Sequence, residues 1–398
     1  MLTNTGSLEM NTTICTVRRR FNGGWLFVLL LIATNTTAFA GRPPVVSTKP
    51  IDYRIQYFTA PNSGPVSSIE DMNESGAVVG NYFTNSTHVS GYLYDPLVSV
   101  TSAINLHSQY LLPDGWYITY PRGINNFGAI VATVWHATYG ERAMLLNPNG
   151  TQDQATGKRL ATWLPDLAAS SGTHPRKIND QGDILLCATF STGEYVPFVY
   201  NPGIYDVSAA YMATELGFNT FDITNLDMSF RSSGQPLQFA GVLPGGNQSF
   251  HYTLGGTLQT FSMQSVSVSA INSNGTFCGR QVISTIGKGG KLTWSGQTFR
   301  YNPSTDTAVT SLGTAGYAND INDSNDVATS GKFLIHSVKG TLDLNTLVVG
   351  SAADVRYFKT EYSFESRLTQ RTGNGFPVIG LKVGDLGCIL VPSVPQQP

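Results

Sequence analysis

The chain is poor in charged residues and in long apolar runs. Only 13% of its 398 residues are charged, and 24 basic residues nearly balance 26 acidic ones, so the sequence lacks the basic surface that nucleic-acid binding requires. No apolar run approaches the roughly twenty residues of a membrane helix. These two absences predict a protein with neither a nucleic-acid partner nor a membrane span.

Sequence signatures of common enzymes are also missing. The chain contains no His-Glu-x-x-His, no Gly-x-Ser-x-Gly and no Gly-x-x-x-x-Gly-Lys-Ser/Thr motif, which argues against a zinc hydrolase, a serine hydrolase with a nucleophile elbow and a nucleotide-binding enzyme. There is no Cys-x-x-Cys pair, and the six histidines are scattered. The sequence predicts no metal site and no cofactor, and it leaves open whether the protein is an enzyme.

Cysteine is rare, and its number is odd in the part of the chain expected to be mature. Cys15 lies in the N-terminal segment, whereas Cys187, Cys278 and Cys388 each lie in a separate apolar, strand-like run. Free cysteine behaves as a small buried hydrophobic residue, and that is the prediction for all three. A single disulfide between two of them is the alternative.

Residues 1–40 have the features of an export signal. Arg18, Arg19 and Arg20 precede the apolar run at 25–33, and a small-residue cleavage site follows at Ala38-Phe39-Ala40. The expected mature chain is a single domain, residues 41–398, that is secreted to an extracellular or periplasmic location. It keeps 21 basic and 25 acidic residues, since the signal removes three arginines and one glutamate.

A repeat of about fifty residues runs through the remainder. Five clear copies open on an apolar residue followed by Asn, and successive openings lie 52, 54, 93 and 50 residues apart. The long interval leaves room for a degenerate copy that ends near Phe239 and Tyr252, and a worn copy follows Gly375. The clear openings are Met72-Asn73, Ile124-Asn125, Ile178-Asn179, Ile271-Asn272 and Ile321-Asn322.

Each copy contains alternating short strands and tight turns. Asn and Gly recur at fixed offsets because both tolerate the left-handed backbone of a tight hairpin, so the turns are predicted to be structural rather than calcium ligands. One small sheet cannot bury both of its faces, but identical neighbours packed side by side can. That packing is found in propellers and in solenoids.

Two features favour a closed ring. The strand before the Asn turn carries Pro121 in one copy and Pro175 in the next, and proline is tolerated where a strand has a free edge, as the innermost strand of a blade has. An additional strand at residues 53–58 precedes the first copy and can complete the last blade. We therefore predict an all-β fold, a β-propeller of about seven blades with three to four antiparallel strands each, closed by the N-terminal strand.

This pattern resembles the extracellular HAF repeat, whose consensus is close to Ile-Asn-Asp-x-Gly-Gln-Ile-Val-Gly followed by a His-Ala-Phe-Leu-Tyr strand. The resemblance covers nearly all of residues 51–392, although Arg142-Ala143-Met144 and Val196-Pro197-Phe198 stand where the literal His-Ala-Phe tripeptide is expected. Membership implies an exported repeat protein of propeller type. It implies no defined activity.

Alignment of the strands that precede the turns identifies candidate ligand-binding residues. Positions two and four residues before the Ile-Asn pair share one strand face, which is predicted to face the central channel. The residues selected at these positions are Glu70, Tyr120, Arg122, His174, Arg176 and Tyr317. Arginines beside Tyr and His suit an anionic polysaccharide or a cell-surface partner, so the leading hypothesis is a secreted, ligand- or partner-binding propeller.

Two alternatives remain. The same residues suit an extracellular polysaccharide lyase, in which Arg neutralises a uronate carboxylate and Tyr or His removes the α-proton, or they are only a polar channel lining. Aromatic residues in or beside the longer connections, namely Trp116, Tyr117, Trp135, Trp163 and Trp294, stack on sugars if they are exposed and pack between blades if they are buried.

Overall fold

A computed structural model of the chain describes residues 51–393, except for 86–87, 168–169, 194, 202–225, 230–235, 244–247, 263–265, 287–291 and 315. The predicted export segment, residues 1–40, lies outside the described residues. Seven small sheets follow one another along the described chain. We number them as blades 1 to 7 in chain order.

The strands of each blade are given from the innermost outward. Blade 1 comprises Val66–Met72, Val78–Phe83, Val89–Tyr94 and Ile104–Asn105. Blade 2 comprises Trp116–Ile124, Ile130–His136, Gly140–Leu146 and Thr162–Trp163. Blade 3 comprises Ser170–Ile178, Ile184–Phe190 and Tyr195–Tyr200. Blade 4 comprises Leu226–Met228, Gln238–Val242, Gln248–Thr253 and Gln259–Ser262.

The remaining blades follow the same order. Blade 5 comprises Ser267–Ile271, Phe277–Ile286, Leu292–Tyr301 and Thr310–Gly313. Blade 6 comprises Ala318–Ile321, Val327–Thr329, Phe333–His336 and Gly340–Asp343. Blade 7 comprises Ser366–Arg371, Pro377–Val383, Leu386–Ser393 and Asp52–Phe58, with Val348–Val349 added at its outer edge.

Within the described ranges, little regular structure lies outside the blades. Two-residue strands Tyr110–Leu111 and Arg159–Leu160 pair in parallel beside blade 2. Short helices cover Leu106–Gln109, Leu344–Leu347 and Ala352–Thr360, and a 3₁₀ turn covers Pro61–Ser63. No helix within the described ranges has the length and apolarity needed to cross a membrane.

The N-terminal strand closes the ring. Asp52–Phe58 pairs antiparallel with Leu386–Ser393 over seven consecutive residue pairs, and the Tyr53 hydroxyl donates to the Pro377 carbonyl at 3.2 Å. The prediction of a seven-bladed propeller closed by this strand is confirmed. Blade 4 is the degenerate copy, and blade 7 is the worn one.

The hydrophobic core is divided among the interfaces between blades. Seven clusters of buried apolar side chains each join two neighbouring blades, and the seventh joins blade 7 to blade 1 through Phe58 and Ile389. Each blade therefore buries both of its faces against its neighbours, which is the physical reason for repeating a unit that is too thin to fold alone. Cys187, Cys278 and Cys388 are buried and are not joined by a disulfide, as predicted.

The repeated Asn closes each turn and links it to the next blade. In blade 2, Asn125 Oδ1 accepts from the backbone N–H groups of Phe127 and Ala129 at 3.1 and 2.9 Å. Its Nδ2 donates to the Asn179 carbonyl of blade 3 at 3.1 Å. Asn73, Asn272 and Asn322 make corresponding links to their own neighbours.

The turns also need a left-handed residue three positions after this Asn. Glycine occupies that position in four of the clear copies, with φ between 76° and 82° in Gly76, Gly128, Gly182 and Gly275. Asn325 takes the same conformation in blade 6 with φ of 61°, as Asn can. These contacts give the turns a structural role, as the sequence predicted.

A second set of hydrogen bonds runs around the turn end of the ring. The backbone N–H that follows the repeated Asn donates to a side-chain oxygen of the next blade: Glu74 to Asn126, Asn126 to Asp180, Ser273 to Asp323 and Asp323 to Gln370. Gln370 N–H then donates to Glu74 Oε2 at 2.8 Å. This last bond joins blade 7 to blade 1, so these bonds link the turns at five of the seven junctions between blades; the turn of blade 4 lies outside the described residues.

Replacing the repeated Asn should destabilise the fold more than replacing an exposed residue of the same turn. Asn125→Ala removes three hydrogen bonds at a buried position, and we expect a loss of about 2–4 kcal/mol. Phe127→Ala is the matched control because that side chain is 68% exposed, and its expected change is within about 0.5 kcal/mol. Urea unfolding measures both; equal losses would contradict the proposed role of Asn125.

Candidate functional site

The inner strands carry a β-bulge at the same position in five blades. One residue is skipped in the pairing with the second strand each time, and the skipped residues are Glu70, Arg122, Arg176, Ser269 and Asn319. A bulge adds one residue to a strand and redirects the side chains around it. As a result, two consecutive residues, rather than alternate ones, line the central channel in four of these blades, and Arg122 alone lines it in blade 2.

The channel encloses roughly 360 Å³, counting its open mouth, and its charged lining forms two tiers. The arginine tier consists of Arg122, Arg176, Arg367 and Glu70. The aspartate tier consists of Asp71, Asp227, Asp320 and Lys177. The first tier therefore carries a formal charge of +2 and the second −2 when all eight groups are ionised.

The two tiers lie at different depths along the axis. The inner strands run toward their turns, and in blades 1 and 3 the arginine-tier residue directly precedes the aspartate-tier residue, as Glu70 precedes Asp71. Arg367 belongs to the first tier through its hydrogen bond to the Glu70 carbonyl. A second cavity contains Asp71, Lys177 and Asp320 together with the turn residues Asn73 and Asn322. The aspartate tier thus lies toward the turn end, and the arginine tier lies toward the mouth formed by the N-terminal ends of the inner strands.

Glu70 is the single acidic group of the arginine tier. Its carboxylate accepts from Arg122 Nη1 at 2.8 Å and from the Ser68 hydroxyl at 2.8 Å, and its backbone carbonyl accepts from Arg367 Nε at 2.6 Å. Burial acts to raise the pKa of Glu70, but Arg122, Ser68 and the other arginines outweigh burial and lower it. Glu70 is therefore ionised at neutral pH and offsets part of the arginine charge.

The aspartates accept hydrogen bonds from backbone N–H groups on the unpaired edges of the inner strands. Asp71, Asp227 and Asp320 each accept a backbone N–H from the next blade, donated by Ile124 at 2.9 Å, Ile271 at 3.0 Å and Leu368 at 2.8 Å, respectively. A buried edge strand must have its N–H groups satisfied. The aspartate tier is therefore a structural device that joins blades 1 to 2, 4 to 5 and 6 to 7.

Lys177 supplies the countercharge in that tier. Its Nζ lies 3.3 Å from Asp227 Oδ2. Burial acts to lower the pKa of Lys177, but Asp227, Asp71 and Asp320 outweigh burial and raise it. Burial in turn raises the pKa of Asp71 to about 6, with Lys177 opposing.

Three of the six residues selected from sequence meet in the channel, namely Glu70, Arg122 and Arg176. Tyr120 lies behind the tier, with the Arg122 guanidinium 4.8 Å from its ring centre. The residues that line the channel do not include His174 or Tyr317. His174 Nδ1 lies 3.2 Å from Glu141 Oε2 on blade 2, and the half-exposed Tyr317 lies beneath the Arg280 guanidinium at 4.1 Å.

The bulge is the physical reason for this separation. Simple alternation places residues two and four before the Ile-Asn pair on one face, but the bulged residue breaks the alternation between them.

Burial lowers the pKa of His174 while Glu141 opposes it, so this imidazole is neutral at pH 7 and paired across the interface between blades 2 and 3.

Sequence reasoning missed the aspartate tier and Arg367. The signal for the tier was present, because Asp71, Lys177 and Asp320 each stand directly before the apolar residue that opens a repeat. Arg367 was harder to find, since the pairing in blade 7 skips two residues between Leu368 and Arg371 and thereby shifts the register.

The aromatic residues of the connections divide between the two predicted outcomes. Trp116 is buried between blades 1 and 2, whereas Tyr117, Trp135 and Trp163 are 53%, 38% and 43% exposed. The Trp294 side chain lies outside the described part of the structure. Among the described residues, no group of three or more His, Cys, Asp or Glu side chains is arranged to hold a metal ion.

These features define a seven-bladed β-propeller with a charged axial channel. No protein-family model matches the sequence, and no curated protein is similar to it. Solved structures with a similar fold include virginiamycin B lyase from Staphylococcus aureus, at 10% identity and a TM-score of 0.43 over 85% of this chain and 99% of that one.

Two further structures show a comparable likeness. TolB from Acinetobacter baumannii is 13% identical with a TM-score of 0.39, over 81% of this chain and 65% of that one, so the match spans less than two thirds of TolB. The polysaccharide lyase Uly1 is 9% identical with a TM-score of 0.38, over 84% of this chain and 78% of that one. At these identities and TM-scores, none of the three bears on what this chain binds or catalyses.

Proposed function

We propose that this protein is an exported, HAF-type repeat propeller that binds an anionic polysaccharide at the arginine tier of its channel. The observation that supports the proposal is the separation of charge along the axis. A ligand that enters at the mouth contacts three arginines and one glutamate first. The aspartates lie deeper and already accept hydrogen bonds from backbone N–H groups. A carboxylate-bearing sugar is the ligand that this mouth suits.

The chemistry of guanidinium groups supports a carboxylate as the bound group. A guanidinium has five N–H donors in a planar fork that matches a carboxylate. Arg122 uses one of these donors in its hydrogen bond to the Glu70 carboxylate. Arg367 uses two, in hydrogen bonds to the backbone carbonyls of Glu70 and Ser366.

Aromatic side chains near the same mouth add surface for sugar rings. Tyr120 and Tyr317 each carry an arginine over the ring, and Phe364, whose carbonyl accepts from Asn319 Nδ2 at 2.9 Å, is 68% exposed. Aromatic faces stack on the C–H faces of sugars, and arginine binds their acidic groups. The surface around the mouth therefore offers both kinds of contact to a uronate-containing chain.

Charge changes in the arginine tier test this proposal with opposite expected signs. Arg122→Ala should weaken the binding of oligogalacturonate or oligoalginate by tenfold or more, because it lowers the charge of the tier from +2 to +1 and removes a guanidinium that can bind a carboxylate. Glu70→Gln should strengthen binding several-fold because it raises the charge of the tier from +2 to +3. Arg356→Ala, at an exposed helix position, is the control with no expected change.

Titration calorimetry at low and moderate salt measures these affinities, and higher salt should weaken the wild-type interaction. Unchanged affinity in both tier variants would overturn the proposal. New ultraviolet absorbance from an unsaturated uronate, with the polymer consumed, would instead establish the lyase alternative, with a base other than His174, which lies outside the channel lining.

A further inference from the structure

Exposed aromatic side chains are concentrated in blade 2. Nine Phe, Tyr and Trp side chains are strongly exposed among the described residues, and five of them belong to this blade: Tyr117, Phe127, Trp135, Tyr139 and Trp163. Large aromatic side chains are usually buried. Their concentration in one blade indicates a binding role for this blade, although they lie on both of its faces: Tyr117 and Trp135 are opposite Trp116.

Two of these rings belong to an ordered group that we call the blade 2 aromatic cluster: Trp116, His136, Tyr139 and Trp163. Trp163 meets the buried Trp116 edge to face, with ring centres 4.8 Å apart and planes at 75°. Tyr139 lies nearly parallel to Trp116 at 6.2 Å, and His136 contacts both Trp116 and Tyr139 at 5.2 and 4.7 Å. Tyr139 is 62% exposed and Trp163 is 43% exposed.

Hydrogen bonds and close packing hold the cluster in place. His136 Nδ1 accepts from the backbone N–H of Thr138 at 2.9 Å, which fixes the ring against the turn that carries Tyr139. Gly115 has φ of 81°, and a Cβ there would lie 2.6 Å from His136 Nε2, so only glycine leaves room for the imidazole. Rings fixed before binding lose little conformational entropy when a ligand arrives.

We infer that the blade 2 aromatic cluster is a binding site for an uncharged pyranose ring, which stacks on one of the exposed rings, Trp163 or Tyr139, and contacts the other, since the planes of these two rings are steeply inclined to each other. A pyranose has an apolar C–H face that packs on aromatic rings and hydroxyls that bond to groups at the ring edges, such as an indole N–H and a phenol O–H. None of the four side chains is a carboxylate, an ammonium or a guanidinium group, so the cluster has no groups selective for a charged sugar.

The size of the exposed surface separates this ligand from a protein partner. An aromatic side chain buries at most about 150–250 Å², so two part-exposed rings fall well below the roughly 800 Å² per partner of a stable protein interface. A sugar ring is a ligand of matching size. This site goes beyond the proposed function and does not depend on it, since the arginine tier is not involved.

Three neutral hexasaccharides, cellohexaose, laminarihexaose and mannohexaose, test the inference by calorimetry and tryptophan fluorescence on the purified protein. At least one should bind wild type with a dissociation constant of about 1 mM or tighter. Trp163→Ala and Tyr139→Ala should each weaken that binding roughly tenfold. Trp135→Ala is the matched control, because Trp135 has similar exposure and points to the other face of the blade.

Absence of binding to all three probes would overturn the inference, and so would an equal loss in Trp135→Ala. Trp163→Ala and Tyr139→Ala remove contacts with Trp116 and should lower stability, but all three variants should still unfold in one cooperative transition, which shows that any loss of binding is not loss of the fold. Oligogalacturonate binding, measured in parallel, should be unchanged by Trp163→Ala. If the wild-type protein binds a hexasaccharide but does not bind oligogalacturonate, only the proposed function is contradicted, and the inference stands.

Discussion

Truncating Tyr53 to alanine should cost about 3–5 kcal/mol of folding free energy, a large part of the total of a typical protein. Tyr53 is fully buried in the closing strand, and its hydroxyl donates to the Pro377 carbonyl. The strand lies between Leu386–Ser393 and Val348–Val349 in blade 7. Weakening this strand therefore weakens the closure of the ring as well as the hydrophobic core around Tyr53.

Arg54→Ala is the matched control, since Arg54 is the next residue of the same strand and is exposed. Its expected change is within about 0.5 kcal/mol. Urea unfolding followed by circular dichroism gives both values. A Tyr53→Ala variant as stable as Arg54→Ala would mean that the closing strand does not hold the ring.

A comparable loss, about 3–5 kcal/mol, is expected for Asp326→Ala, because it breaks a buried ion pair by removing one partner. Asp326 is fully buried, and its two carboxylate oxygens accept from Arg371 Nη2 and Nε at 2.7 and 2.8 Å. The same carboxylate accepts the Ser337 backbone N–H at 2.9 Å and Asn322 Nδ2 at 3.2 Å. It thus connects the turn, the third strand of blade 6 and the inner strand of blade 7.

The loss in Asp326→Ala should depend on pH in a defined direction. Burial acts to raise the pKa of Asp326, but Arg371, Ser337, His336 and Asn322 outweigh burial and lower it. A carboxyl whose pKa is lower in the folded state stabilises the protein above its unfolded pKa of about 4, and the stabilisation is lost as pH falls through the folded value. The difference from wild type should therefore be full at pH 7 and shrink below about pH 4.

Urea unfolding at pH 7, 5 and 3 measures this difference. Asp114→Ala, at an exposed loop position, should behave as wild type at each pH. A difference between wild type and Asp326→Ala that stays constant down to pH 3 would contradict the assigned ionisation.

The fold was predictable because its local rules repeat. An apolar residue, Asn and a left-handed Gly recur at nearly constant spacing, and each requirement is local: the Asn side chain closes its own turn, and the Gly satisfies its own φ. The strand at 53–58 could be assigned to the last blade because nothing nearby in sequence pairs with it. Elements that depend on tertiary contacts were not predictable, such as the two-residue strands Tyr110–Leu111 and Arg159–Leu160.

The channel was only partly predictable, for a reason specific to the inner strands. Alternation identified Arg122 and Arg176, but a bulge in each strand redirects the next residue as well, so Asp71 and Lys177 also reach the channel. A bulge leaves no clear signature when one sequence is read alone. Its position is set by contacts between blades, such as Asp71 with the Ile124 N–H.

The structure divides its polar residues between scaffold and surface. The Asn turns and the aspartate tier satisfy backbone groups of neighbouring blades, so their regular recurrence reflects assembly of the ring. The bulged position of the inner strand varies from blade to blade, with Glu70, Arg122, Arg176, Ser269 and Asn319 at this one equivalent position. A position with constant geometry and varied chemistry is suited to recognising an asymmetric ligand.

A crystal structure of the protein with a trigalacturonate tests the central claim most directly. We expect the carboxylate of one sugar to lie within hydrogen-bond distance of at least two of Arg122, Arg176 and Arg367, at the mouth formed by the N-terminal ends of the inner strands. A trigalacturonate bound elsewhere on the ring, with the arginine tier unoccupied by the ligand, would contradict the account.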